Sequence, residues 1–140
     1  MAQRQRFVDD YLGYLLGQAN HALFKGFEPE VRAAGLSSIE WRVLAVLHEG
    51  ASLTVSQLAH EVLSKQPTVT KLLQRMGDQG WVRLQADPAD QRCTRVVATE
   101  AGQRLVRPLV GKARRHETQA LKALDASERE MLKSLLARLV

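Results

Sequence analysis

Apolar residues recur along this chain at helical spacing in successive blocks, and the pattern changes character once, between Trp81 and Val97. Val55, Leu58, Ala59 and Val62 fall at i, i+3, i+4 and i+7, the one-sided stripe of a short amphipathic helix. After a break over Leu63-Ser64-Lys65-Gln66-Pro67 the same spacing returns in Val69, Leu72, Leu73 and Met76. Two short helices across a tight turn predict a helix-turn-helix. The changed segment then predicts a hairpin. Trp81–Leu84 and Thr94–Val97 are β-prone, and Asp87-Pro88-Ala89-Asp90-Gln91-Arg92 between them is all turn formers and charge. A hairpin after a recognition helix is a wing, with Arg92 near its tip.

The flanks are helical. Phe7, Tyr11, Leu12, Leu15, Ala19, Leu23 and Phe27 form an N-terminal stripe that Pro29 should kink or end early, with Gly35 as terminator. Ser37-x-x-Glu40 is a capping box opening a second helix through about Glu49, and Thr54-x-x-Gln57 caps the next. Ser52-Leu53 can add a short strand to the wing. Beyond the wing, Thr99 caps a long helix bearing Leu105, Val106, Leu109 and Val110, with Pro108 as a bend. Asp125-x-x-Glu128 opens a last helix, where Leu132, Leu135 and Leu139 share a face. That segment stays hydrophobic to its final residue, although uncovered chain ends fray. A homodimer with interlocked terminal helices is therefore expected, and a two-fold pair of heads suits two half-sites one helical turn apart. The fold class is mainly α with a small β-wing: residues 1–140 form one domain, a winged helix-turn-helix over about 36–100 between dimerisation helices at 1–35 and 101–140.

The recognition helix carries its polar side chains where DNA would meet them. Pro67, Thr70, Lys71 and Gln74 point away from the apolar side, flanked by Thr68 and Arg75, and no carboxylate precedes Asp78. Hydroxyl, amide and cationic groups are what base edges and phosphates accept. Lys65 and Gln66 at the start of the helix complete its candidate contacts, and Asp90 and Arg92 supply those of the wing. Asp90 is expected to hold the Arg92 side chain rather than touch DNA. Lys65 and Arg83 sit at the edges, where phosphate runs.

Charge supports this placement. The chain of 140 residues carries a formal net charge of +5, and between 65 and 95 six cations face three anions. More than half of the excess thus lies in the proposed reading head. A hydrophobic share of 45% with 25% charged residues is that of a globular protein, and aromatics at 5% leave the core aliphatic. Asp9 and Asp10 interrupt any apolar core behind the basic start Met1–Arg6, so no export signal is expected. The single cysteine makes no internal disulfide, which suits the cytoplasm.

The run Asp87-Pro88-x-Asp90-x-Arg92, followed by Thr99-x-x-Gly102, resembles the wing signature of the MarR family, the winged-helix transcription regulators of bacteria and archaea. Leu58-Ala59, Pro67–Leu73 and Gly80-Trp81-Val82 sit where that family places its helix-turn-helix and first wing strand, and Leu36–Leu44 resembles its lead-in helix. The likeness covers roughly 36–105. Ala98 stands where the family usually has Leu, and Cys93 where a small residue is common, which implies looser packing under the wing. The resemblance implies a ligand-responsive dimer, most often a repressor, that binds a pseudo-palindromic operator. It also implies an aromatic acid or phenol as effector. Gln18, His21 and Phe24 on the first helix and Trp41, Arg42 and Ala45 on the second are the candidate lining; a cation beside an indole suits a flat anion. Core packing of Trp41, and pairing of Arg42 with Glu40 or Glu49, are the plainer alternatives.

Other chemistries find less support. Cys93 at the base of the wing is the one candidate for a redox-responsive regulator, its thiol pKa lowered by Arg92 and Arg95. His21, His48, His60 and His116 are scattered, which argues against a metal site. No nucleophile elbow, phosphate-binding glycine loop or His-Glu-x-x-His is present, so neither an enzyme nor a cofactor is expected. A non-specific architectural DNA binder would share the charge and show little preference between sequences. A helical protein-interaction module would not concentrate charge on a wing.

Overall fold

The computed structural model describes residues 5–140, so most of the basic start lies outside the described residues. In chain order it contains α1 (Leu12–Ala33), α2 (Ser38–Val46), β1 (Leu53–Thr54), α3 (Val55–Glu61) and α4 (Gln66–Asp78). These are followed by β2 (Val82–Ala86), β3 (Thr94–Ala98), α5 (Glu100–Ala120) and α6 (Ala126–Ala137). No helix among the described residues is long and apolar enough to cross a membrane. The chain forms two compact units, Glu30–Gly111 and the residues up to Pro29 together with Lys112–Val140.

The unit Glu30–Gly111 is built around an aliphatic core. Val43, Leu44 and Leu47 from α2 and its end, Leu58 and Val62 from α3 and its end, and Val69 and Met76 from α4 are all at 0% exposure. Val96 of the sheet and Val106 of α5 are equally closed off. Periodicity alone marks these faces, because side chains three and four apart share one side of a helix. The antiparallel sheet has the order β1-β3-β2. Leu53 pairs with Val96 and Thr54 with Arg95, so the short first strand lies one residue later than Ser52-Leu53. Val82 opposes Ala98 and Ala86 opposes Thr94 in the longer ladder. Val82 and Val96 close the underside of the wing at 4% and 0% exposure, and Ala98 is half-buried.

Local chemistry sets the helix ends. Ser37 with Glu40 and Thr54 with Gln57 form reciprocal capping boxes at the starts of α2 and α3. Pro29 does not end α1, which runs on to Ala33. Proline removes one N–H and crowds the previous turn, but Phe27 and Val31 on either side are buried at 5% and 1% exposure and hold the helical path. The helix closes when Leu36 N–H returns to the Val31 carbonyl at 3.1 Å and Gly35 N–H to Arg32 at 2.9 Å.

The second helix is shorter than its sequence suggests, stopping at Val46 rather than Glu49. A side chain from α5 takes over there. Gln103 donates Nε2 to the Leu47 carbonyl at 3.2 Å, and its Oε1 accepts the Glu49 N–H at 3.4 Å and lies 3.3 Å from His48 Nδ1. With those groups satisfied from outside, Glu49 turns to a φ of 64°.

Leu63 closes α3 in an unusual way. Its φ is 57°, and the Ser64 N–H reaches the Ala59 carbonyl at 3.0 Å, the bond of a left-handed helix terminator. Glycine normally fills that position, since a Cβ in left-handed backbone costs about 1–2 kcal/mol. The Leu63 side chain recovers nothing by burial, being 83% exposed. Leu63→Gly should therefore stabilise the protein by about 1 kcal/mol, raising the midpoint of thermal unfolding by about 3 °C. Calorimetry showing a lower midpoint would contradict this account of the turn.

In the other unit, Phe24 and Phe27 meet edge-on at 6.5 Å, and His116 of α5 lies 5.8 Å from Phe27. Lys133 of α6 pairs with Glu117 of α5 at 3.2 Å. Asp125 and Glu128 cap α6 reciprocally. Much of the apolar N-terminal stripe is uncovered: Phe7 is 74% exposed, Tyr11 52% and Leu15 45%. Leu139 lies past the last residue of α6, which ends at Ala137, so only Leu132 and Leu135 of the expected face belong to the helix proper.

Candidate nucleic-acid interface

Helix α4 separates its two faces cleanly. Val69, Leu72, Leu73 and Met76 are at 0–3% exposure, whereas Gln66, Pro67, Thr68, Thr70, Lys71, Gln74 and Arg75 are all exposed. Lys65 is the N-cap residue, contributes no side-chain cap and is itself exposed. Pro67 stands in the first turn, where its missing N–H and fixed φ cost nothing. The Thr70 hydroxyl donates to the Gln66 carbonyl at 2.9 Å, which fixes its rotamer and leaves its lone pairs and methyl group turned outward. At the far end Gly80, with φ 78°, lets Trp81 N–H bond the Met76 carbonyl at 3.0 Å and sends the chain directly into the wing.

The wing connection is a tied loop. Asp87 N–H donates to the Cys93 carbonyl at 2.9 Å, Cys93 N–H to the Asp90 carbonyl at 3.0 Å, and Ala89 N–H to Asp87 Oδ1 at 2.9 Å. Asp90 holds Arg92 in place, though through the backbone and not the side chain: its Oδ1 accepts the Arg92 N–H at 3.0 Å. Short carboxylates favour such bonds to amides two residues on. The Arg92 guanidinium is left exposed and without a partner among the described residues.

Gln66, Thr70 and Arg92 are brought together, lining with Thr54, Ser56 and Leu84 a cleft of about 360 Å3 between the helix start and the wing. Lys65 and Thr68 lie in a second, more open hollow of about 560 Å3 beside His60, Leu63 and Ser64. Lys71, Gln74 and Arg75 line neither and project from the exposed face of α4.

Electrostatics revise the expectation for Cys93. Asp87 is held below the ordinary carboxylate range, first by the Ala89 N–H and then, against a burial cost, by the Arg95 guanidinium. Cys93 moves the other way from the expected lowering. The Asp90 carboxylate, 3.8 Å from its sulfur, pushes the thiol pKa up; burial adds to this, and the opposing pull of Arg95 is smaller. Arg95 points to Asp87 and Ser52 instead, which removes the electrostatic reason for a redox role.

The effector candidates divide between the two units. Gln18 and His21 are exposed on α1 and Phe24 is half-buried. Trp41 is half-buried on α2. Arg42 pairs with neither Glu40 nor Glu49; its Nη1 donates to the Val62 carbonyl at 2.8 Å and so caps the end of α3. That partner is 20 residues away, beyond the reach of local spacing.

Sequence reasoning missed Ser52, Asp87, Arg95 and Gln103 as structural ties of this surface. Asp87 and Arg95 left one trace, opposite charges on the two sides of the hairpin neck.

Residues 34–92 match a family model described as MarR family. A MarR family transcriptional regulator from Silicibacter pomeroyi DSS-3, SPO1453, is 35% identical, and its crystal structure aligns at a TM-score of 0.83 over 97% of this chain and 100% of that one. NadR, in a crystal structure with 4-hydroxyphenylacetate, is 25% identical at a TM-score of 0.86, with 99% and 97% covered. The homoprotocatechuate degradative operon repressor of Escherichia coli is 32% identical over 98 residues, 70% of this chain and 66% of its own. SPO1453 is thus a transcriptional regulator by name and the Escherichia coli relative a repressor. With its helix-turn-helix, its three-stranded wing and this degree of identity over the whole length of a known member, the chain belongs to the MarR family of winged-helix transcriptional regulators.

Proposed function

We propose that this regulator is a homodimeric repressor that binds a pseudo-palindromic operator in the cytoplasm and releases it when a small aromatic acid or phenol binds. The division of α4 carries the reading. Its inner face is closed, and its outer face offers Thr70, Lys71 and Gln74 with no carboxylate before Asp78. Beside it the wing presents Arg92, whose guanidinium can enter a minor groove where narrow A·T tracts concentrate negative potential. Lys65, Gln66, Pro67, Thr68 and Arg75 complete the contacting helix, and Asp90 acts on DNA only through the loop it ties.

The dimer is supported by the apolar faces left open on α1 and α6, where Leu12, Leu15, Leu132 and Leu135 are 37–56% exposed. The effector class is supported by the relatives, one crystallised with 4-hydroxyphenylacetate and one named for a homoprotocatechuate degradative operon. Of the candidate residues, Trp41 and Arg42 in the unit Glu30–Gly111 are the ones assigned to it. An anion that captured Arg42 would draw it from the Val62 carbonyl and uncap the first helix of the reading head, a direct route from ligand to DNA affinity.

Binding of the region upstream of the chain's own gene, measured against random DNA, tests the reading. Alanine at Thr70, Lys71 or Gln74 should lower specific binding more than non-specific binding, by about 1–3 kcal/mol for each lost base contact. Alanine at Lys65 or Arg83 should lower both alike. If all five variants change both kinds of binding in one ratio, α4 does not read sequence and the protein is an architectural binder. Addition of 4-hydroxyphenylacetate should weaken the specific complex and raise the unfolding midpoint of the free protein.

A further inference from the structure

We infer that Arg95 is a positioning residue: it holds the wing so that Arg92 meets DNA, and makes no DNA contact of its own. The inference rests on the proposed DNA-binding reading. Arg95 lies on β3, yet all three of its guanidinium bonds run to the neck of the wing and the approach to β1. Nε donates to Ser52 Oγ at 3.0 Å, Nη2 to the Ser52 carbonyl at 2.6 Å and Nη1 to Asp87 Oδ2 at 3.2 Å. The Arg95 side chain is 28% exposed and that of Asp87 17%.

The position of this tie gives it leverage. Asp87 follows the last strand pair, Ala86 with Thr94, and opens the loop that ends at Cys93. A two-stranded hairpin alone is marginal in water. This one gains a third strand through only two residues, Leu53 and Thr54. From the central strand Arg95 adds a side-chain strut to both sides, gripping the residue just before β1 and the residue that opens the loop after β2. Asp87 in turn secures the Ala89 N–H, and Asp90 the Arg92 N–H. Each tie hands the constraint on toward the tip, where the Arg92 guanidinium has no partner of its own among the described residues. The charge of Arg95 is meanwhile balanced by Asp87, so little remains to attract a phosphate. A lysine could keep the charge but not the planar fork that reaches three acceptors at once.

The test uses a duplex selected by the wild-type protein from a random-sequence library, and the variants Arg92→Ala, Arg95→Lys, Ser52→Ala and the pairs with Arg92→Ala. Thermal unfolding verifies that each is folded; Ser52→Ala changes no charge and removes one acceptor, which guards against a collapse of Arg95→Lys. Arg92→Ala should weaken binding about ten- to a hundredfold. Arg95→Lys should lose most of that affinity although its charge is kept, and adding Arg92→Ala to it should cost less than about threefold more. In the free protein, tryptic cleavage after Arg92 should quicken several-fold in Arg95→Lys and, less, in Ser52→Ala. Wild-type affinity in Arg95→Lys, or losses that multiply independently, would overturn the inference, as would unchanged cleavage after Arg92. If Arg92→Ala binds as tightly as wild type while the Arg95→Lys wing is loosened, the DNA role of the wing itself has failed, and the positioning role falls with it.

Discussion

Combining Leu132→Asp with Leu135→Asp is expected to leave the reading head folded while lowering operator affinity at least about a thousandfold, to near the non-specific level. Leu132 and Leu135 lie on α6 at 37% and 46% exposure, beside the likewise uncovered Met131 and Leu136. In the proposed dimer those side chains are buried, and two carboxylates there would cost several kcal/mol each. A single head keeps only its own phosphate and base contacts, so the loss in affinity should track the loss of the dimer. Sedimentation and shift assays on the same preparation decide it. A monomer that binds the operator as tightly as wild type would refute the two-headed mechanism, and a persistent dimer would assign the interface to other helices.

Gly102→Ala should destabilise the protein by about 3 kcal/mol and lower its unfolding midpoint by about 10 °C. A Cβ at this position would collide with the Trp81 carbonyl oxygen and lie 3.1 Å from the carbonyl carbon, with Leu44 Cδ2 at 3.4 Å behind it. Backbone cannot yield as a flexible side chain can. The same carbonyl accepts the Thr99 N–H at 3.0 Å, while the Thr99 hydroxyl bonds the Gly80 carbonyl and accepts the Gly102 N–H at 3.1 Å. Thr99 and Gly102 thus dock the start of α5 onto the root of the wing, and an added methyl group would prise them apart. Calorimetry finding the variant within about 0.5 kcal/mol of wild type would mean that this contact is looser than its geometry.

Much of this architecture was legible in the chain because its determinants are local. The stripes of α3 and α4 follow from side chains that repeat every three to four residues, and the capping boxes of α2, α3 and α6 from pairs three residues apart. The exposed face of α4 follows from the same periodicity. What escaped notice depends on residues distant in sequence. The early end of α2 is set by Gln103, more than fifty residues on, and the partners of Arg42 and Arg95 are 20 and 43 residues away. Pro29 misled for a related reason: its local cost is real, but the burial of Phe27 and Val31 outweighs it, and that burial is a property of the folded chain. Asp90 grips the Arg92 amide and not its side chain, a distinction that spacing alone does not make.

The grip of Gln103 on the end of α2 has a further consequence, visible in time rather than in space. The Glu49 amide is bonded by a side chain on α5 and not by its own helix. Its exchange with solvent deuterium is therefore gated by motion of the first turns of α5, whereas amides inside α2 open with that helix. A single slow or fast proton thus reports whether the long helix is seated, and its rate on and off DNA would give the free energy of unseating in each state.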